Sequence, residues 1–280
     1  MTTAKELFEA GRLQAAIDEV TNRVKANPND TQQRILLFEL LLFAGEWDRA
    51  ERHADVIAHQ SMEAGLGVQV YRNNIKSERD RSRLFSDGLR PHFIGDPPAY
   101  VELHLSAINR IREGNIAEAR ETLDRAEEDR PAFAGAFNGQ RFSDFRDYND
   151  VVGPVLEAIV QDQYTWIPFE QITSLEIEAP KQLRDLVWTS ARIETTDGTS
   201  GEIYIHTLYE GSGLNPSDLV RLGRMTDWKD AGADLYLASG LRLFLIDGED
   251  RALLDARRIE FEYAARESEM VASLDEVSAS

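Results

Sequence analysis

The chain of 280 residues has no cysteine, which excludes disulfides and thiol catalysis and fits a reducing compartment. It has no apolar run long enough to cross a bilayer, which takes about 20 residues. Ile35 to Phe43 is apolar except for Glu39, but it is too short. Its start, MTTAKELFEAGRL, reads as an amphipathic helix, not as a basic-then-apolar leader. The expected location is the cytoplasm, with no membrane insertion. Positive charge is scarce: 31 Lys and Arg stand against 50 Asp and Glu, for a net −19. Phosphate binding wants basic surface, so nucleic acid is not an expected partner. Residues 1–140 carry 18 basic and 23 acidic groups, and residues 141–280 carry 13 and 27. The more acidic second half favours solubility, or a basic partner.

Signatures of chemistry are also missing. None of the five histidines, His53, His59, His92, His104 and His206, stands three or four residues from another, as a zinc-binding helix requires. Asp144, Asp147 and Asp150 recur at threes, but the tight glycine turn of a cation loop is absent. Gly211-Ser212-Gly213 lacks the third glycine and flanking elements of a phosphate loop. No Gly-x-Ser-x-Gly elbow occurs. No enzyme activity, metal or cofactor is expected.

Helical punctuation is abundant. Pro28-Asn29-Asp30 ends one segment, Asp30 can cap the next, and Gln33 stands where a capping box needs it. Gly45 divides the apolar helix that follows from a second, with Trp47, Ala50, Ala54 and Ile57 about a turn apart. Counting from each of Gly11, Gly45 and Gly114, a small residue stands at +5: Ala16, Ala50 and Ala119. Val20, Ala54 and Leu123 stand at +9, and Pro28 and Pro131 stand at +17 of the first and third. Small residues let paired helices approach, apolar ones fill the seam, and proline ends the second helix. Gly11 and Gly45 are 34 residues apart, the tetratricopeptide period. Three unrelated hairpins sharing good turn chemistry is the plainer alternative. Stacked hairpins would offer a groove for a partner's helix.

The rest divides by period. Residues 1–60 read as two helical hairpins and 99–130 as a third. Residues 61–98 read as less regular, with SERDRSRLF a helix that is polar outside. GLRPHFIGDPP, with two glycines and three prolines, reads as a fixed extended loop pinned by Phe93 and Ile94. VVGPVLEAIV reads as another helix, with proline near its start. Strands are expected within 164–180 and at LVWTSARIETT, EIYIHTLY, DLYLA, LRLFLID and IEFEYA, with hairpin turns at Asp197-Gly198 and Asp247-Gly248. The predicted class is α+β: a tetratricopeptide-like all-α domain over 1–140, then a mostly antiparallel β-rich domain over 141–268. An acidic tail, 269–280, is expected to be disordered.

Four motifs, in order and spacing, resemble one family. They are RPHFIGDPP (Pro91, Phe93, Gly95, Pro97, Pro98), VVGPVLEAIVQDQYTWIPF (Gly153, Pro154, Leu156, Glu157, Tyr164, Trp166, Pro168, Phe169), IEAPKQLRDLVW (Pro180, Leu183, Arg184, Asp185, Leu186, Trp188) and LGRMTDW (Arg224, Thr226, Trp228). The chain resembles the ImpE/TagJ (SciE-type) accessory proteins of bacterial type VI secretion. It departs from the pattern at Val152, where a basic residue is common, and near His206 and Thr207, where a proline is. The resemblance implies a non-enzymatic adaptor. Its implied partners are a helix of the small contractile-sheath subunit and the ClpV-type AAA+ ATPase. A general scaffold or chaperone for other clients is the alternative. The candidate partner-contacting residues are Phe93, Trp166, Trp188 and Trp228. Large aromatics anchor interfaces, and they also fill cores.

Overall fold

The computed structural model describes residues 3–59 and 62–262, so the segment 269–280 lies outside it. Seven helices precede the first strand among the described residues. They are α1 (Ala4–Glu9), α2 (Leu13–Ala26), α3 (Thr31–Phe43), α4 (Trp47–Ala58), α5 (Met62–Asp87), α6 (Ala99–Arg112) and α7 (Ile116–Asp129). Asp30 caps α3 by accepting from the Gln33 amide at 3.0 Å. Gly11, Gly45 and Gly114 end the first helix of each hairpin in the left-handed region, at φ 71°, 65° and 81°. Ala16, Ala50 and Ala119 are fully buried where the paired helices meet. The hairpin pattern read from the sequence is therefore the pattern in space.

Two expectations need correction. Residues 62–87 form one long helix; its charged stretch is polar outside at Ser82 and Arg83, as expected, but its inner face is polar too, with Ser77, Glu78 and Arg81 buried. VVGPVLEAIV is not a helix. Asp150–Val152 make a single 3-10 turn, and after Gly153-Pro154 the chain runs as strand Val155–Val160. That strand is buried on both faces from Val155 to Ile159, so no alternation of polar and apolar residues marks its period.

The strands are β1 (Ala134–Phe137), β2 (Gln140–Phe142), β3 (Phe145–Asp147), β4 (Val155–Val160), β5 (Gln163–Pro168), β6 (Ile172–Ile177), β7 (Trp188–Thr195), β8 (Ser200–His206), β9 (Thr226–Gly232), β10 (Leu235–Gly240), β11 (Leu243–Ile246), β12 (Glu249–Ala252) and β13 (Arg258–Glu262). The main sheet runs β2-β1-β13-β6-β7-β8-β4-β5, and every neighbouring pair is antiparallel. Smaller sheets are β10-β9 and β12-β11-β3. The two Asp-Gly turns join β7 to β8 and β11 to β12, and Asp247 and Gly248 both take positive φ, at 49° and 86°. The sequence reading missed β1, β2, β3, β9 and β12. These are short, or in β9 mostly exposed.

The loop 88–98 lies extended along β5. The His92 amide donates to the Tyr164 carbonyl at 3.0 Å, and the Trp166 amide donates to the His92 carbonyl at 2.9 Å. Phe93 pins it as expected, while Ile94 is exposed.

The helices and the sheet share their cores. One apolar cluster joins α1–α5 to Ile159, Val187, Trp188, Leu208 and Leu222. The other joins Leu84, α6 and α7 to the strands. The face of α3 that could have lined an open groove is covered by a 3-10 turn at Leu183–Leu186 and another at Ser212–Leu214. Arg184 reaches across to Glu39 at 2.6 Å, which explains the lone charge inside the apolar run of α3. No helix among the described residues is long and apolar enough to cross a membrane.

Candidate docking cleft above a buried ionic cluster

Where α5 crosses the sheet, charged residues from distant elements meet out of contact with water. Arg81, one turn after Glu78 on α5, gives Nε to Glu157 Oε1 at 2.9 Å and Nη2 to Oε2 at 3.0 Å. Its Nη1 donates to the Leu208 carbonyl at 2.9 Å. Glu157 lies on β4. It also accepts from Tyr164 on β5 and from Arg242, just before β11. Arg242 extends the cluster to Asp147 on β3, which accepts from Tyr209 at 2.8 Å as well. At the other end, Glu78 Oε1 accepts from His206 Nδ1 at 2.9 Å and from the Trp188 indole at 2.9 Å. A carboxylate cannot donate, so His206 carries its proton on Nδ1.

The electrostatics follow from this wiring. Burial raises the Glu157 carboxyl, but Arg81 and Arg242 outweigh it and hold it well below the ordinary range. Burial likewise raises Glu78, and His206 and Arg81 overcome it, leaving the carboxyl at about 2. For Asp147 burial wins against Arg242, and its carboxyl sits at about 6. Burial lowers His206 against the pull of Glu78. These groups are spent on one another, so the cluster holds elements together. Removing one partner from such a pair costs about 3–5 kcal/mol, because the other charge stays buried.

Above the cluster the surface opens. A mainly apolar cleft of about 580 Å³ has Val151, Val152, Glu157 and Tyr209 in its floor. Phe85 of α5, Ile108 and Ile111 of α6, and Leu237 of β10 also line it. A second cleft of about 260 Å³, with Phe43, Trp47 and Leu208, lies on the other side of the Gly211–Leu214 turn. Leu214 lines both and is 86% exposed. Glu210 beside it is pushed up by burial, with Arg81 opposing.

The four aromatics expected to meet a partner fall around this cluster. Trp166 is fully buried, gives its indole N–H to Tyr164 at 2.6 Å, and packs edge-on to Phe93 at 6.5 Å. Phe93 is half-buried under the Arg90 guanidinium. Trp188 is buried, bonded to Glu78 and stacked on Trp47 at 6.1 Å. Trp228 is half-buried against Tyr148 at 4.9 Å and Tyr209 at 6.3 Å, and Tyr209 lines the larger cleft. The sequence reading missed Glu78, Arg81, Arg242 and Leu214, and weighed Asp147 only as part of a cation loop. The three aspartates at threes serve three arginine sites: Asp144 takes Arg130, Asp147 takes Arg242, and Asp150 takes Arg120 and Arg146.

Comparison with known proteins places this architecture. Residues 139–260 match the ImpE protein family, a span that holds most of the sheet and the strand-side members of the cluster, but not β1 or Glu78 and Arg81 of α5. Type VI secretion system accessory component TagJ of Pseudomonas aeruginosa is 34% identical over 259 residues, covering 92% of this chain and 91% of that protein. The chain belongs to the ImpE/TagJ family of type VI secretion accessory proteins. The fold is also that of the crystal structure of VPA1032 from Vibrio parahaemolyticus. The TM-score is 0.86 at 24% identity, over 94% of this chain and 98% of that one.

Proposed function

We propose that the chain is a non-enzymatic adaptor of type VI secretion. In this reading it holds a helix of the small contractile-sheath subunit at the junction of helices and sheet, and links it to the ClpV-type AAA+ ATPase. One observation carries the reading: a mainly apolar cleft with Leu214 almost fully exposed at its mouth. Leu214 is continuous with the apolar lining of both clefts, and a contiguous apolar patch of that kind marks an interaction site. An amphipathic helix suits the site, because apolar residues one turn apart can straddle Leu214 and enter both clefts. The named relative is an accessory component, which fits an adaptor better than a catalyst.

The test is binding of the purified small sheath subunit by calorimetry, with wild type and Leu214→Asp. Burying a leucine contributes about 1.5–3 kcal/mol, so the variant should bind at least about tenfold more weakly. Equal binding by both proteins would move the contact elsewhere. No binding at micromolar concentration by either would remove the adaptor reading.

A further inference from the structure

Glu210 stands immediately before the Gly211–Leu214 turn and lines both docking clefts. It is half-buried, and its charge is not matched from within the chain. The fully buried carboxylates Glu39, Glu78, Asp147 and Glu157 each pair with an arginine. Glu210 pairs with none among the described residues. Arg81 attracts it, but that guanidinium is committed to Glu157 and the Leu208 carbonyl through Nε, Nη1 and Nη2. Lys229 of β9 also lines the larger cleft, but it is exposed and forms no ion pair with Glu210. Burial raises the Glu210 carboxyl, with Arg81 and a hydrogen bond from Ser82 opposing.

While the clefts are open, water solvates this carboxylate. A docked face made only of apolar side chains would expel that water and leave the charge buried without compensation, which is strongly unfavourable. The walls around it are mainly apolar, with Phe43, Trp47 and Leu208 on one side of the turn and Ile108, Ile111 and Leu237 on the other. The occupant that fits both features is apolar over most of its contact face and brings one positive charge to the middle. The net charge of −19 attracts such a partner at longer range.

We propose that the helix held in these clefts carries a lysine or arginine among its apolar residues, and that this cation pairs with Glu210. The clefts then select a basic amphipathic helix and reject a purely apolar or acidic one, which would strand or repel the carboxylate. The inference rests on the adaptor reading. Wild type, Glu210→Gln and Leu214→Asp are each titrated with the purified small sheath subunit by calorimetry, and the thermal unfolding of each is followed. Glu210→Gln should bind about tenfold more weakly, the effect of removing one member of a desolvated charge pair. Its Tm should hold or rise, because the amide loses no internal ion pair and relieves repulsion from Glu78 and Glu157. Unchanged affinity in Glu210→Gln would overturn the inference, and weak binding by Leu214→Asp in the same series would leave the adaptor reading standing without it. A Tm lower by several degrees would show that the carboxylate serves the fold, and would overturn it equally. No binding by wild type would remove both readings.

Discussion

The first two helical hairpins and the third are written in one sequence phrase, yet they meet the sheet in different ways. The first two share an apolar cluster with Ile159, Val187, Trp188, Leu208 and Leu222, and add polar contacts and a close backbone approach at their ends. Gln14 donates its amide to Asp218 of helix α8 (Asp218–Arg221), Arg224 reaches the Glu9 carbonyl and lies over the Phe8 ring, and Arg184 bridges to Glu39. Gly213 sits against the turn at Gly45, and α5 adds the Arg81–Glu157 cluster. The third hairpin joins the other apolar cluster, with Val101, Leu105, Ile108 and Leu123 against Val151, Val152 and Phe169, and its polar ties run to different elements, from Arg120 to Asp150 and from Tyr100 to Glu170. The repeat encodes how each pair of helices closes on itself. What covers that pair is encoded elsewhere in the chain.

Four measurements sharpen or break that contrast. Arg81→Met should destabilise most, by about 3–5 kcal/mol in urea unfolding, because it leaves Glu157 buried with one arginine fewer. A loss under 1 kcal/mol would mean the cluster does not fasten α5. Next comes acid. His104 is lowered from 6.5 to about 4, so the unfolded chain binds its proton first, and stability falls as pH drops from 6.5 towards 4. Asp147, raised from 3.8 to about 6, works in the opposite direction over much of that window. The clean quantity is therefore the difference between wild type and His104→Gln, in which Asp147 cancels. That difference should shift by on the order of 3 kcal/mol between pH 6.5 and 4, in favour of the variant as pH falls. A pH-independent difference would show that His104 titrates normally. Gly213→Ala ranks third. Its Cβ would lie 2.7 Å from the Gly45 nitrogen and 2.9 Å from the Ala44 carbonyl carbon, so backbone must move, at about 2 kcal/mol by thermal unfolding. Gly114→Ala should cost least, about 1 kcal/mol, because the new Cβ meets nothing within 4 Å and the positive φ alone is unfavourable. If Gly114→Ala costs more than Gly213→Ala, the contrast between covered and open turns is wrong.

The hairpins were legible because glycine, alanine and proline act locally, and Asp30, Gly45 and Pro131 each do their work within a few residues. The antiparallel class was legible from alternation in β7 and from the two Asp-Gly turns. Strand β4 was not, since burial on both faces erases the period that distinguishes strand from helix. The ionic cluster left a fainter trace. Glu39, Glu157 and Arg242 each stand alone in an apolar run, and each is buried against an opposite charge. A solitary charge in such a run signals a buried partner, but it does not name the partner, which can lie 145 residues away, as Arg184 does from Glu39. Of the aromatics chosen from the motifs, Trp166 and Trp188 are buried beside the cluster, while Phe93 and Trp228 are half-buried near it. Leu214, the most exposed large apolar side chain there, carries no local signal.

The covering of α3 has a consequence for synthesis. Its leucines and phenylalanines leave the ribosome early, and the segments that shield them, near Leu186 and Gly213, come out much later. Throughout that interval α2 and α4 cover part of α3 but its remaining oily face stays open, a ready substrate for trigger-type holdases. Slowing translation after residue 140 should therefore lower soluble yield, and raising holdase levels should restore it.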